Sequence, residues 1–148
     1  MKQTIHTLVQ LQRLRDSAVK STTVALARQR QVATRYENNI KALGQLVQKT
    51  RTEELPHFCA QTLSNIAGYK GSLLRVVKWQ EQEKALAEMK TQQIQKNLMQ
   101  AACQEKIVAL TLGTQRETFA SEQASREQKT VDDVASQRWL RTQRLEES

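Results

Sequence analysis

The residues with reactive side chains are few, and their spacing matches no reaction centre. Cys59 and Cys103 are the two cysteines of the 148-residue chain. They fit neither a Cys-x-x-Cys pair nor a Cys/His metal pattern, and the reading they favour is reduced thiols on helix faces, as in a reducing cytoplasm. His6 and His57 stand at opposite ends of the first predicted helix, too far apart to act as a pair. Glu127, Asp132 and Asp133 are the nearest thing to a carboxylate cluster, the type of group that handles protons or cations. Arg126, Lys129 and Arg138 are interleaved with them, and no apolar run surrounds them to build a pocket. The four glycines, Gly44, Gly68, Gly71 and Gly113, share no phosphate-loop spacing. The sequence therefore predicts no catalytic residue, no metal, no cofactor and no small-molecule substrate, so a protein that is not an enzyme.

The elements that carry these residues are predicted to be helical throughout. Aromatics make up 4% of the chain and proline occurs once, at Pro56, so the ingredients of a sheet protein are lacking. Gln, Lys, Arg, Glu, Ala and Leu predominate, all residues that lose little on entering a helix. A thin apolar seam between long helices is the core that such a composition can fill.

From Ile5 to Lys49 the apolar residues recur at helical spacing. The pairs Ala18/Val19, Ala25/Leu26, Val32/Ala33 and Leu46/Val47 lie whole heptads apart, Ile40 supplies the missing step, and Leu8, Leu11, Tyr36 and Leu43 fall between. This is the coiled-coil period. A helix that long is not stable by propensity and needs a partner along its stripe. Pro56 ends the pattern, and Gly68 and Gly71 weaken the stretch after it, which predicts a turn over about 50–58 and a softer start to the next helix. A second stripe runs through Leu73, Val77, Ala87, Ile94, Leu98, Ala101, Val108, Leu112 and Phe119, interrupted by Gln80, Lys84 and Glu105. Beyond Phe119 the apolar content falls to Val131, Val134, Trp139, Leu140 and Leu145.

The predicted fold is all-α: an antiparallel two-helix coiled-coil hairpin forming one domain over 1–148. Helix 1 covers about 4–50, and helix 2, the longer, about 59–143. Folding the chain at residue 55 places Ile5 near residue 105 and leaves some thirty C-terminal residues overhanging. An overhang of that kind is either frayed or a partner site, and a partner site is the expectation.

The net charge of +8 is unevenly spread. Residues 1–55 carry 10 basic and 4 acidic side chains, 56–115 carry 7 and 4, and 116–148 carry 6 and 7. A basic helical surface attracts acidic proteins, anionic membrane surfaces or nucleic acid. The aromatics do not interleave with the basic residues as a stacking surface requires, and no basic-region run of clustered arginines is present, so specific nucleic-acid recognition is not expected. The start of the chain lacks the apolar core of a signal peptide, and no window approaches the ~20 apolar residues of a membrane span. A cytoplasmic protein is the expectation.

Three stretches resemble a known family. They are Leu8-x-x-Leu11-x-x-Leu14, the run Tyr69-x-x-x-Leu73-x-x-x-Val77-x-x-Gln80, and Glu127-Gln128-Lys129-x-x-Asp132-Asp133-x-Ala135-x-x-Arg138. Together they look like the FliJ family, the small coiled-coil component of the flagellar type III export apparatus. The stalk proteins of virulence-type injectisomes are related to it. The resemblance implies a hairpin similar to the central stalk of rotary ATP synthases. Its end bearing both termini would enter the pore of the hexameric export ATPase and promote ring assembly. It also implies contact with the cytoplasmic domain of the export-gate membrane protein, binding of export chaperones, and peripheral association with the inner-membrane export apparatus.

Carried over, the export-gate surface comprises Tyr36, Ile40, Leu43 and Val47 on the first helix with Tyr69, Leu73, Val76 and Gln80 on the second. Where the family commonly has tyrosines late in the first helix, this chain has Leu43 and Val47. Ile40, Leu43 and Leu73 also lie on the seam stripe, where core packing competes with contact; Tyr36, Tyr69, Val76 and Gln80 suit a surface better, and Trp79 either flanks them or is a partly buried residue at the seam edge. The ATPase-ring surface would comprise Arg13 and Arg15 with Arg126, Lys129, Asp132, Asp133 and Arg138. The stalk of an injectisome or a generic coiled-coil adaptor is the alternative reading.

Overall fold

The structure is a computed structural model that describes residues 1–52 and 60–148. Two helices account for all of them but Met1, Glu147 and Ser148: α1, Lys2–Thr52, and α2, Ala60–Glu146, the longer of the two, with no strand among the described residues. The predicted turn, with Pro56, His57 and Cys59, lies outside the described residues. α2 begins before Gly68 and Gly71 and runs unbroken through both. Threonine, a poor helix former, turns its hydroxyl back to donate to the carbonyl one turn earlier, as Thr22 does to Ala18 at 2.8 Å and Thr111 to Ile107 at 2.9 Å.

The chain divides into two compact units, each built from both helices: Ala18–Ala101, and Met1–Ser17 with Ala102–Ser148. In the first, the Gln29 side-chain amide donates to the Ala87 carbonyl at 3.3 Å. Tyr36, one heptad on, shares a cavity with Glu83, which precedes Ala87, so the helices run antiparallel. In the second unit the Arg15 guanidinium donates to Gln104 Oε1 at 2.7 Å, and Met1 and Lys2 share a cavity with Phe119 and Arg126. The direction is again antiparallel.

These contacts correct the expected register. With Arg15 against Gln104, Ile5 falls near residue 114 and not residue 105. Counting back from the proline ignored the determinant of register, which is the meshing of the two apolar stripes.

Those stripes are regular. On α1, the positions shielded from solvent alternate by threes and fours from Ile5 through Leu26, Tyr36 and Val47 to Thr50. On α2 they do so from Lys70 through Leu73, Ala87 and Leu112 to Phe119. Leu26, Val47, Leu73 and Ala87 are the buried hydrophobic residues of one unit, and Val108 and Leu112 those of the other. In three of the adjacent apolar pairs read from the sequence, one member faces inward: Val19, Leu26 and Val47 are shielded, while Ala18, Ala25 and Leu46 are exposed. Val32 and Ala33 share the seam, both half-buried.

Candidate binding surfaces

In the unit Ala18–Ala101 the eight residues of the expected export-gate surface separate into two classes. Val47 and Leu73 are buried in the seam, and Ile40, Leu43, Tyr36 and Gln80 are half-buried along it. Tyr69 and Val76 are exposed, at 54% and 42%. The two tyrosines and Val76 are accessible to a partner, whereas Val47 and Leu73 hold the helices together. Gln80 keeps a buried Oε1 that meets no donor among the described residues, a cost of about 1–3 kcal/mol unless something supplies one.

The exposed pair belongs to a longer stripe. Tyr69 and Val76 are one heptad apart; Trp79 and Leu86, also one heptad apart, lie beside them on the next row and are exposed at 54% and 52%. The row that holds Tyr69 and Val76 continues through Glu83 to Lys90 and meets Val32 and Tyr36 of α1 in a shallow cavity. Leu86 gave no signal in the sequence because a single leucine off the main stripe has the same composition as a surface leucine.

The two flanks of this unit differ in charge. On one, Glu37 pairs with Lys41 at 3.6 Å and Glu88 with Lys84 at 3.8 Å, in a neighbourhood lined by Arg30, Thr34, Thr91 and Gln92. On the other, the aromatic stripe is bordered by Arg28, Arg35, Arg75, Lys90 and Lys96, for none of which an ion pair is found among the described residues, and Glu83 is the acidic residue within it.

In the other unit every residue from 120 to 148 is exposed. The 3–4 spacing that brings Phe119 to the seam continues through Glu122, Arg126, Lys129 and Asp133, so the face that would bury a partner helix becomes charged. Of the expected ring-binding residues, Arg126 shares its cavity with Met1, Lys2 and Phe119. Lys129, Asp132, Asp133 and Arg138 lie further along the exposed helix, with Asp132 Oδ1 accepting from Gln128 Nε2 at 3.1 Å. Arg13 is exposed; Arg15 is half-buried, held by Gln104, with a buried Nε that has no partner among the described residues. Val131, Ala135 and Trp139 form an i, i+4, i+8 row on the same segment, with Val131 62% and Trp139 60% exposed. Cys103 is a free, exposed thiol.

No group of His, Cys, Asp and Glu among the described residues is arranged to hold a metal ion, and no described helix is long and apolar enough to cross a membrane. The arrangement offers exposed faces along helices, which recognise other macromolecules by area and charge.

Comparison with curated proteins and with solved structures gave no match. The model of the family described as flagellar FliJ protein matches residues 4–144, nearly the whole chain. A near-complete match over a chain folded as two antiparallel helices, the second longer, places this protein in the flagellar FliJ family.

Proposed function

We propose that this chain serves flagellar type III export as a non-catalytic stalk, binding the hexameric export ATPase and linking it to the export gate and to export chaperones. The carrying observation is that α2 continues as helix from residue 120 to Glu146 with every side chain exposed. Twenty-odd unpartnered residues of regular helix are marginal in water by themselves, so a partner that covers them is the simplest reason for their sequence. The charges on this segment, Arg126, Lys129, Asp132, Asp133 and Arg138, together with Arg13 and Arg15 of α1, suit adjustable contacts with a ring interior. Exposed ion pairs contribute about 0–1 kcal/mol each, so binding rests on their number and weakens with salt.

The export-gate contact is assigned to Tyr36, Tyr69, Val76 and Gln80, with Ile40, Leu43, Val47 and Leu73 supporting them from the seam. The protein would work in the cytoplasm, at the inner-membrane face of the export apparatus. A pull-down against the export ATPase and the gate's cytoplasmic domain, with ring assembly scored, tests the reading. Binding to both supports it; binding to neither, with flagellar assembly intact in a deletion strain, overturns it.

The exposed Val131 and Trp139 favour a second reading, a coiled-coil adaptor that dimerises through its C-terminal helix. Sedimentation separates the two: a monomer at micromolar concentration fits the stalk, a dimer the adaptor.

A further inference from the structure

The charge of the protein is segregated by unit. The span Ala18–Ala101 carries 13 basic and 6 acidic side chains, +7 of the total +8, and the other unit 10 and 9. Within the first, Glu37 and Glu88 are engaged by Lys41 and Lys84 on one flank. That flank also carries Arg30, while the flank with the exposed aromatic stripe carries Arg28, Arg35 and Lys90 with Glu83 as its acidic residue, and is net positive.

That stripe has the composition of a membrane–water interface. Tyr69 and Trp79 present amphipathic rings, exposed at 54% each, and Val76 and Leu86 are aliphatic neighbours in the same rows, at 42% and 52%. Arg75 and Lys96, three heptads apart, run beside the stripe on α2, Lys90 continues the row of Tyr69 and Val76, and Arg28 and Arg35 border it from α1. Trp and Tyr sit at headgroup depth, and Lys and Arg extend along apolar surface to reach phosphates. Glu83 is the acidic residue within this row, against Arg28, Arg35, Arg75, Lys90 and Lys96 around it, so the flank stays net positive, and a net positive surface around an apolar ridge suits mobile anions and a soft apolar layer.

We propose that this flank binds an anionic lipid surface directly, with Tyr69, Val76, Trp79 and Leu86 entering the headgroup region and the surrounding Arg and Lys side chains holding lipid phosphates. Tyr69 and Val76 also belong to the proposed export-gate contact, but the lipid contact needs no gate protein.

The test uses the full chain carrying Trp139→Phe, which leaves Trp79 as its one tryptophan. It is mixed with vesicles of phosphatidylcholine containing 30% phosphatidylglycerol, or with phosphatidylcholine alone. The expected result is co-sedimentation with the anionic vesicles only, with a blue shift of Trp79 emission. Each neutralisation among Arg28→Gln, Arg35→Gln, Arg75→Gln and Lys90→Gln should weaken partition roughly fivefold. Arg30→Gln and Lys41→Gln, on the ion-paired flank, should leave it within twofold. All six positions are exposed, so helicity by circular dichroism should be unchanged in every variant.

Absence of co-sedimentation at 30% phosphatidylglycerol overturns the proposal. So does binding without a Trp79 shift, or equal loss from both flanks. Binding to the gate's cytoplasmic domain is measured separately without vesicles; if that alone is seen, the flank is a protein-binding surface, the lipid contact falls and the export-gate reading stands.

Discussion

Leu112 is 2% exposed, less than any other buried hydrophobic residue described. In a two-helix seam no second layer closes over a deleted side chain, so the cavity left by Leu112→Ala opens to water. The expected loss is about 2–4 kcal/mol, read as a shift of the urea midpoint. Leu14→Ala, at a position 68% exposed, should change stability by less than about 0.5 kcal/mol. The pair also tests the family-like Leu8-x-x-Leu11-x-x-Leu14 run, in which Leu8 and Leu11 are shielded and Leu14 is not.

Arg15 makes the opposite case. Its half-buried side chain accepts an unsatisfied Nε for the sake of one bond to Gln104. Arg15→Leu should be neutral or stabilising by about 1 kcal/mol, because an apolar group suits the seam better than a partly satisfied cation. If thermal unfolding shows Arg15→Leu to be markedly destabilised, the residue is holding the seam. If stability holds and ring binding falls, Arg15 is kept for its partner, as the proposed ring surface requires.

The helices themselves carry sequence features that packing does not need. Gly44 and Gly113 lie inside helices where an added Cβ would meet nothing within 4 Å. Gly44→Ala and Gly113→Ala should each stabilise by about 0.5–1 kcal/mol, since alanine removes backbone freedom from the unfolded chain at no steric cost. Differential scanning calorimetry would register both. A failure at Gly113 alone would indicate that the chain needs close approach there by something other than itself.

The distribution of shielding along α2 gives the element a second test. Residues 73–112 contain all the buried positions of that helix, and residues 120–148 contain none. Hydrogen exchange should therefore be slow in the former and at least roughly a hundredfold faster in the latter, an unpartnered helix of that length being close to its folding midpoint. Protection of the C-terminal segment on adding the export ATPase would locate the contact. Equal protection in the free protein would mean that the segment is already covered, and the adaptor reading would gain.

For the whole molecule, stability and recognition rest on different residues. Asp132→Ala with Asp133→Ala should leave the thermal midpoint within ~2 °C while weakening ring binding at least roughly fivefold, because neither carboxylate touches the seam. Unchanged ring binding, by surface plasmon resonance at about 0.1 M salt, would refute the assignment. The salt dependence should also differ between surfaces: contacts through the mixed-charge C-terminal segment weaken modestly, and contacts through the flank of Arg28, Arg35, Arg75, Lys90 and Lys96 weaken steeply.

The amino-acid sequence determined by itself that the chain is two helices with a thin seam, since periodicity at about 3.5 residues is a local property that composition cannot disguise. Ile5, Leu8, Leu73, Ala87 and Leu112 could be placed on the seam from spacing alone. It also carried the family, in short runs such as that from Glu127 to Arg138. Tertiary structure decided which member of Ala25/Leu26 or Leu46/Val47 turns inward, because adjacent residues differ by only about 100° and the partner helix selects between them. It decided the register, through Arg15 and Gln104, because register depends on two stripes meshing and neither stripe contains the other. It divided the expected gate residues into buried Val47 and Leu73 and exposed Tyr69 and Val76, and it brought Trp79 and Leu86 beside them. An outward face is defined by the surface the seam leaves uncovered, and that is known only once the seam has formed.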